Sequence, residues 1–185
     1  MKDLSLHLLD IAQNSIRAEA SVVSIGFELK EDGKLIMTVQ DDGCGMDAEL
    51  LERVKSPFTT TRTTRKIGLG IPMLMQNAIA SGGGVDIKSE PGKGTLLTAV
   101  FDTSSIDCLP LGDLPATLVT LITANPDRPE FHLRCVSPQG EMTFSTEEVR
   151  AALGPDVPLN EPSVAMWMES AISEEMTPLL GTIMK

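Results

Sequence analysis

Four short segments in fixed order constrain this chain more than anything else in it: LLDIAQNSIRA at 8–18, DDGCGM at 41–46, IGLGIP at 67–72 and PGKGT at 91–95. The first reads as a helix bearing an amide and the second as a carboxylate before a glycine turn. The third is a glycine turn before a helix, and the fourth a glycine hairpin. Such a set can enclose one nucleotide, because glycine lets the backbone approach a ligand closely and a helix N-terminus offers unpaired N–H groups to an anion.

Periodicity places these segments on elements. Leu4, Leu8, Ile11, Ser15 and Ala18 recur at helical spacing, with His7, Asp10, Asn14 and Arg17 as a second stripe, so residues 3–19 are expected as an amphipathic helix. Alternation over 22–30 and 34–40 across Glu31, Asp32 and Gly33 gives a hairpin. A short helix capped by Asp47 follows over 47–55, then a Thr-rich basic loop from Ser56 to Lys66. IGLGIP opens a helix running to Ala80, stopped by Gly82, Gly83 and Gly84, and Val85–Glu90 and Thr95–Asp102 form a last hairpin. The expected architecture is α+β, a mixed and mostly antiparallel sheet with helices on one face.

Ser104 to Pro115, with Pro110 and Gly112, reads as a linker, so 1–104 is expected as one domain and 105–185 as a small α/β module. That module should contain a helix over 114–124, strands at 131–136 and 141–144, and helices near 146–153 and 162–180. Val164, Met166, Trp167, Met168 and Ile172 are expected in its core.

Fifteen Lys and Arg against 26 Asp and Glu leave a formal charge of -11, which repels a phosphate backbone and argues against nucleic acid. Three cysteines, an odd number without paired spacing, fit a reducing compartment and read as small buried residues. The N-terminal sequence carries Asp3 and Asp10 and no long apolar run, so neither a signal peptide nor a membrane span is expected, and the protein is expected in the cytoplasm.

Asp10, Asn14 and Arg17 share one helix face. Magnesium takes oxygen ligands and keeps several waters while bridging phosphates, so the single amide oxygen of Asn14 suffices as a protein ligand. Asp10 could position or deprotonate a water, and Arg17 could neutralise phosphate charge. Asp41 can accept a proton from an exocyclic amine, while Gly43 and Gly45 let the backbone close on a flat heterocycle. Gly68 and Gly70 precede a helix N-terminus. Thr60, Arg62, Arg65 and Lys66 are donors on a loop suited to folding over phosphates as a lid. Ile87 and Gly94 break a Walker-type loop at Gly92 and Lys93, and Met73 breaks a dinucleotide fingerprint after Gly68 and Gly70. His7 and His132 read as helix-face or core residues.

Taken together the four segments resemble the GHKL superfamily of gyrase, heat-shock chaperone, histidine-kinase and mismatch-repair ATPases, over roughly residues 1–102. The resemblance implies a Bergerat-type two-layer α/β sandwich, an ATP and magnesium site, magnesium binding by Asn14 and adenine binding by Asp41. It places Gly43, Gly45, Met46, Phe58, Gly68, Leu69, Gly70 and Thr95 in the glycine boxes and lid around the nucleotide. SPFTTTRTTRKIGLGIPML and SEPGKGT look most like histidine and anti-sigma kinases, whereas DIAQNSIRAEA with DDGCGM looks closer to mismatch-repair ATPases. The implied function is a stand-alone kinase or ATPase acting on a separate partner protein or phosphoacceptor, with homodimerisation possible within the family. Two departures matter. Hydrolytic branches carry Glu where this chain has Asp10, which favours an ATP-dependent switch with slow turnover as the alternative. The N box also begins close to Met1, leaving no room in this sequence for a phosphoacceptor hairpin before it.

Overall fold

The computed structural model describes residues 2–55, 70–181 and 183. The element order is α1 (Leu4–Arg17), β1 (Val22–Leu29), β2 (Lys34–Asp41), α2 (Ala48–Lys55), α3 (Gly70–Ala80), β3 (Gly84–Glu90), β4 (Gly94–Asp102), α4 (Leu114–Ala124), β5 (Glu130–Ser137), β6 (Gly140–Ser145), α5 (Thr146–Leu153) and α6 (Pro162–Leu180). The α+β reading holds. Six strands form one sheet in the order β3-β4-β2-β1-β5-β6, antiparallel throughout except where β1 runs parallel to β5.

Strand alternation decides which face carries the helices. Val23, Ile25 and Phe27 of β1, Leu35, Met37 and Val39 of β2, Leu97, Ala99 and Phe101 of β4, and Phe131, Leu133 and Cys135 of β5 are all buried. They meet Leu4, Leu8 and Ile11 of α1, Leu74 and Ala78 of α3, Leu118 and Ile122 of α4, and Met168 and Ile172 of α6 in one apolar core. Residues 105–185 add β5 and β6 to this same sheet and contribute α4 and α6 to this same core, so the compositional break near 105 is not a break in the packing.

Local chemistry sets the element ends. Asp3 caps α1 from outside, its Oδ1 accepting the Leu6 N–H at 2.9 Å, and Glu19 with φ +58 closes the other end, so the helix is two residues shorter at its C-terminus than its periodicity suggests. Asp47 accepts the Leu50 N–H at 2.8 Å ahead of α2. Pro72 sits in the first turn of α3, where a missing N–H breaks no helical bond.

Two expectations need correction. Only Cys135 is buried among the cysteines; Cys108 is half-buried and Cys44, on the tip of a glycine turn, is exposed. Val164, Met168 and Ile172 of α6 are core, but Met166 and Trp167 face outward at 74% and 55% exposure, because a stripe of period 3.6 cannot bury three consecutive residues of one helix. His132, half-buried in β5, meets Glu147 in space, with Nε2 3.6 Å from Oε2 where α5 folds back beside β5.

Candidate functional site

The chain turns sharply after β2, and the turn is built around the Asp41 carboxylate. Its Oδ2 accepts a hydrogen bond from the Ser15 hydroxyl at 2.6 Å, and its Oδ1 accepts the N–H of Gly43 at 3.0 Å and of Thr95 at 3.2 Å. Asp41 is 8% exposed, so these donors hold a buried anion in one orientation. Ser15 comes from α1, Gly43 from the turn after β2 and Thr95 from the start of β4. Three separate segments therefore aim one carboxylate.

The turn is welded to the hairpin at 91–94. Gly92 donates its N–H to the Cys44 carbonyl at 2.8 Å, and the Ser89 hydroxyl links the Met46 N–H, the Gly94 carbonyl and the Thr95 hydroxyl at 2.8, 2.9 and 2.9 Å. Two glycines make this closeness possible. A Cβ on Gly45, where φ is +66, would lie 2.0 Å from the Glu90 carbonyl oxygen, and one on Gly94, where φ is +93, would lie 1.9 Å from the Asp41 carbonyl oxygen. Neighbouring Asp42 anchors the entry to β1, accepting the N–H groups of Ser21 and Val22 at 2.7 and 2.9 Å. The Val22 N–H is the main cause holding this carboxyl below the usual carboxylate range.

Beside Asp41 opens a cavity of about 310 Å³, lined by Ile11, Asn14, Ser15, Ala18, Val39, Asp41, Gly45, Met46, Leu50, Val54, Ile71, Ile87, Thr95 and Leu97. Its volume lies at the small end of the usual range for ligand pockets, about 300–1,000 Å³. The walls are mostly apolar, from α1, α2, α3 and the sheet, and the polar groups converge along one side. A flat heterocycle with a hydrogen-bonding edge matches this arrangement. Asn14 lies at the α1 rim, where its Oδ1 accepts a hydrogen bond from Arg17 Nη1 at 3.3 Å.

The structure thus brings Asn14, Asp41, Gly45, Met46 and Thr95 to one cavity, with Gly43 bonded to Asp41 behind it. Arg17 touches Asn14 but does not line the cavity, and neither does Asp10. The Asp10 carboxylate instead packs on the first residue of α3, where a Cβ on Gly70 would lie 1.6 Å from its Oδ2. Phe58, Thr60, Arg62, Arg65, Lys66, Gly68 and Leu69 lie outside the described residues. Ser15 was not foreseen. It sat on the apolar stripe of α1, and the signal was a hydroxyl at a position where the helix buries everything else.

Residues 2–105 match the family model described as histidine kinase-, DNA gyrase B-, and HSP90-like ATPase. The chain is 32% identical over 93 residues to the sensor histidine kinase ZraS of Klebsiella oxytoca, covering 49% of this chain and 20% of that one. It is 31% identical over 99 residues to sporulation kinase C of Bacillus subtilis strain 168, covering 52% and 23%. The chain therefore spans about a fifth of the length of these relatives. Among solved structures, the N-terminal domain of a DNA repair protein matches 79% of this chain and 53% of its own, with a TM-score of 0.55 at 14% identity, a likeness of fold. With a family match over more than half of its length, this chain belongs to the histidine kinase-, DNA gyrase B- and HSP90-like ATPases.

Proposed function

We propose that this protein binds ATP with magnesium in the cavity beside Asp41 and acts on a separate protein, as a kinase of the histidine-kinase or anti-sigma type. The observation that carries this reading is the Asp41 carboxylate, aimed into an apolar cavity by Ser15, Gly43 and Thr95. A carboxylate held there can accept a proton from an exocyclic amine while Ile71, Ile87, Leu50 and Val54 flank the ring plane. The backbone approach at Gly45 and Gly94 supports the fit, since side chains there would fill the turn against which a base would rest.

The Asn14 amide oxygen would ligate magnesium, and Arg17, hydrogen-bonded to Asn14 outside the cavity lining, would meet phosphate charge. When bound, magnesium–ATP supplies an electrophilic terminal phosphoryl group. Asp10, one helical turn before Asn14, would accept the proton of an attacking hydroxyl or water. The N-terminal end of α3, whose first-turn N–H groups have no partner within the helix, lies beside Asp10 and favours negative charge. Thr60, Arg62, Arg65 and Lys66 would close over the phosphates, with Phe58, Gly68 and Leu69 part of the same segment. Residues 105–185 would select the partner, with Met166 and Trp167 of α6 among their exposed apolar residues.

A second reading is an ATP-dependent switch with slow or no turnover. It is favoured by Asp10, which is one methylene shorter than the Glu of hydrolytic relatives and rests against Gly70 rather than on the cavity wall. A displacement of about 1 Å at a reacting centre can cost roughly a hundredfold in rate. A role at DNA is disfavoured by the formal charge of -11.

One experiment separates these readings. Purified protein is incubated with γ-labelled ATP and magnesium, with and without cell extract. Label on another protein supports the kinase, free phosphate alone an ATPase, and ATP binding without either the switch. Loss of magnesium-dependent ATP binding is expected for Asn14→Ala and loss of preference for ATP over GTP for Asp41→Ala. Absence of ATP binding by the unaltered protein overturns the proposal.

A further inference from the structure

The interface between α1 and α3 contains a polar pair that the nucleotide reading does not use. His7 of α1 is 0% exposed, and its Nε2 lies 2.8 Å from Nδ2 of Asn77 on α3. With the Asn77 amide donating, Nε2 accepts and the ring proton resides on Nδ1. Nδ1 is buried without a partner among the described residues. An unpartnered buried polar atom is costly, so a histidine here is a poorer core residue than an apolar one of similar volume. Its contribution must lie in the bond it makes.

That bond sits one helical turn from the site. Asp10 follows His7 by three residues on α1, and Gly70 precedes Asn77 by seven on α3, so the two helices run antiparallel past each other. Their second close contact is the Asp10 carboxylate on Gly70, next to Ile71, which lines the cavity. Between these points α3 presents Leu74 and buries Ala78 beyond. Apolar packing is non-directional and leaves α3 free to slide or rotate by a fraction of a turn, whereas a hydrogen bond weakens steeply with misalignment.

We propose that the His7–Asn77 hydrogen bond is a positioning contact: it fixes α3 in register against α1 and thereby holds Gly70 and Ile71 beside Asp10 and the nucleotide cavity. Its consequence for ATP rests on the nucleotide reading above; its consequence for α3 does not. His7 and Asn77 are positioning residues, since neither lines the cavity.

The test is amide hydrogen exchange on the ligand-free full chain, together with affinity for a fluorescent ATP analogue with magnesium. Leu74 and Met75 report on α3, because their N–H groups close its first turn onto the Gly70 and Ile71 carbonyls. Asn77→Leu, which keeps volume and removes the bond, is expected to speed exchange there by roughly tenfold relative to α4 and to weaken the analogue several-fold. His7→Leu should behave likewise. His7→Gln, whose carboxamide can accept the same bond, should keep exchange slow. Unchanged exchange in Asn77→Leu, or a His7→Leu protein as well protected as His7→Gln, overturns the proposal. Faster exchange in a protein that binds no nucleotide upholds the positioning of α3 and sinks the ATP reading instead.

Discussion

The Ser15 hydroxyl donates to Asp41 Oδ2 at 2.6 Å, joining residues 26 positions apart through the floor of the cavity. Ser15 is 3% exposed, so its bond to a carboxylate is shielded from water. Ser15→Ala removes a donor from a buried anion and is expected to cost about 1.5–3 kcal/mol in urea unfolding. It should also reduce the preference for ATP over GTP, because Asp41 is then free to rotate. A stability within a few tenths of a kcal/mol of the unaltered protein would show that water replaces the hydroxyl without loss.

The hairpin glycines allow a paired comparison. Gly92 and Gly94 both have positive φ, at +74 and +93, but an added Cβ meets nothing within 4 Å at Gly92 and the Asp41 carbonyl oxygen at 1.9 Å at Gly94. Gly92→Ala should cost only the left-handed backbone penalty, about 1–2 kcal/mol. Gly94→Ala must also pull β4 away from Asp41, breaking the Thr95 bond, and should cost clearly more and abolish ATP binding. Denaturant midpoints and nucleotide titration of the two variants check this, and equal costs would contradict the close approach.

Much of this arrangement was legible in the sequence, and what escaped it shares one physical cause. The stripes of α1, the alternation of β1 and β2 and the cap at Asp47 depend on neighbours within a few residues, where period and chemistry speak directly. Helix and turn signals picked out Asn14, Asp41 and Gly45, and the family resemblance added Thr95; the fold brings these four to one cavity. Ser15, the parallel pairing of β1 with β5, and the meeting of His132 with Glu147 depend on segments brought together only by the fold. Asp10 and Arg17 share the Asn14 face, as helical spacing requires. Spacing did not say that α3 would cover Asp10 while Arg17 stayed outside the cavity.

Burial is the main cause pushing the His7 pKa below its ordinary 6.5, with Asp10 of α1 and Asp3 at its cap opposing. Neither α3 nor α4, which pack against α1, carries an ionisable side chain. Well above pH 6.5 the ring is neutral in both folded and unfolded chains and contributes no pH dependence. As pH falls below 6.5 the unfolded chain takes up the proton first, so stability is lost. Urea midpoints between about pH 8 and about pH 5 should fall more steeply for the unaltered protein than for His7→Gln. Parallel curves would contradict the assignment of this titration to His7.

The cysteines should separate by reactivity. Burial pushes the Cys135 thiol up to about 12 and raises Cys108 less, while Cys44 is exposed on the glycine turn. A thiol reagent added to the native protein at neutral pH should therefore label Cys44 first, then Cys108, and reach Cys135 only on unfolding. Mass spectrometry of timed digests reads the order, and early labelling of Cys135 would mean that the sheet opens near β5.

Because β5 runs beside β1 from Val22↔Glu130 to Glu28↔Val136, the strand that enters the sheet next to the Asp41 turn is flanked on both sides. A chain cut after residue 104 would strip that ladder, leave a row of bare amides and carbonyls along β1 and uncover the part of α1 on which α4 packs. Such a fragment is a template for self-association rather than an independent nucleotide binder. Insertions or fusions that spare the cleft belong beyond α6, not at the seemingly convenient proline-rich joint.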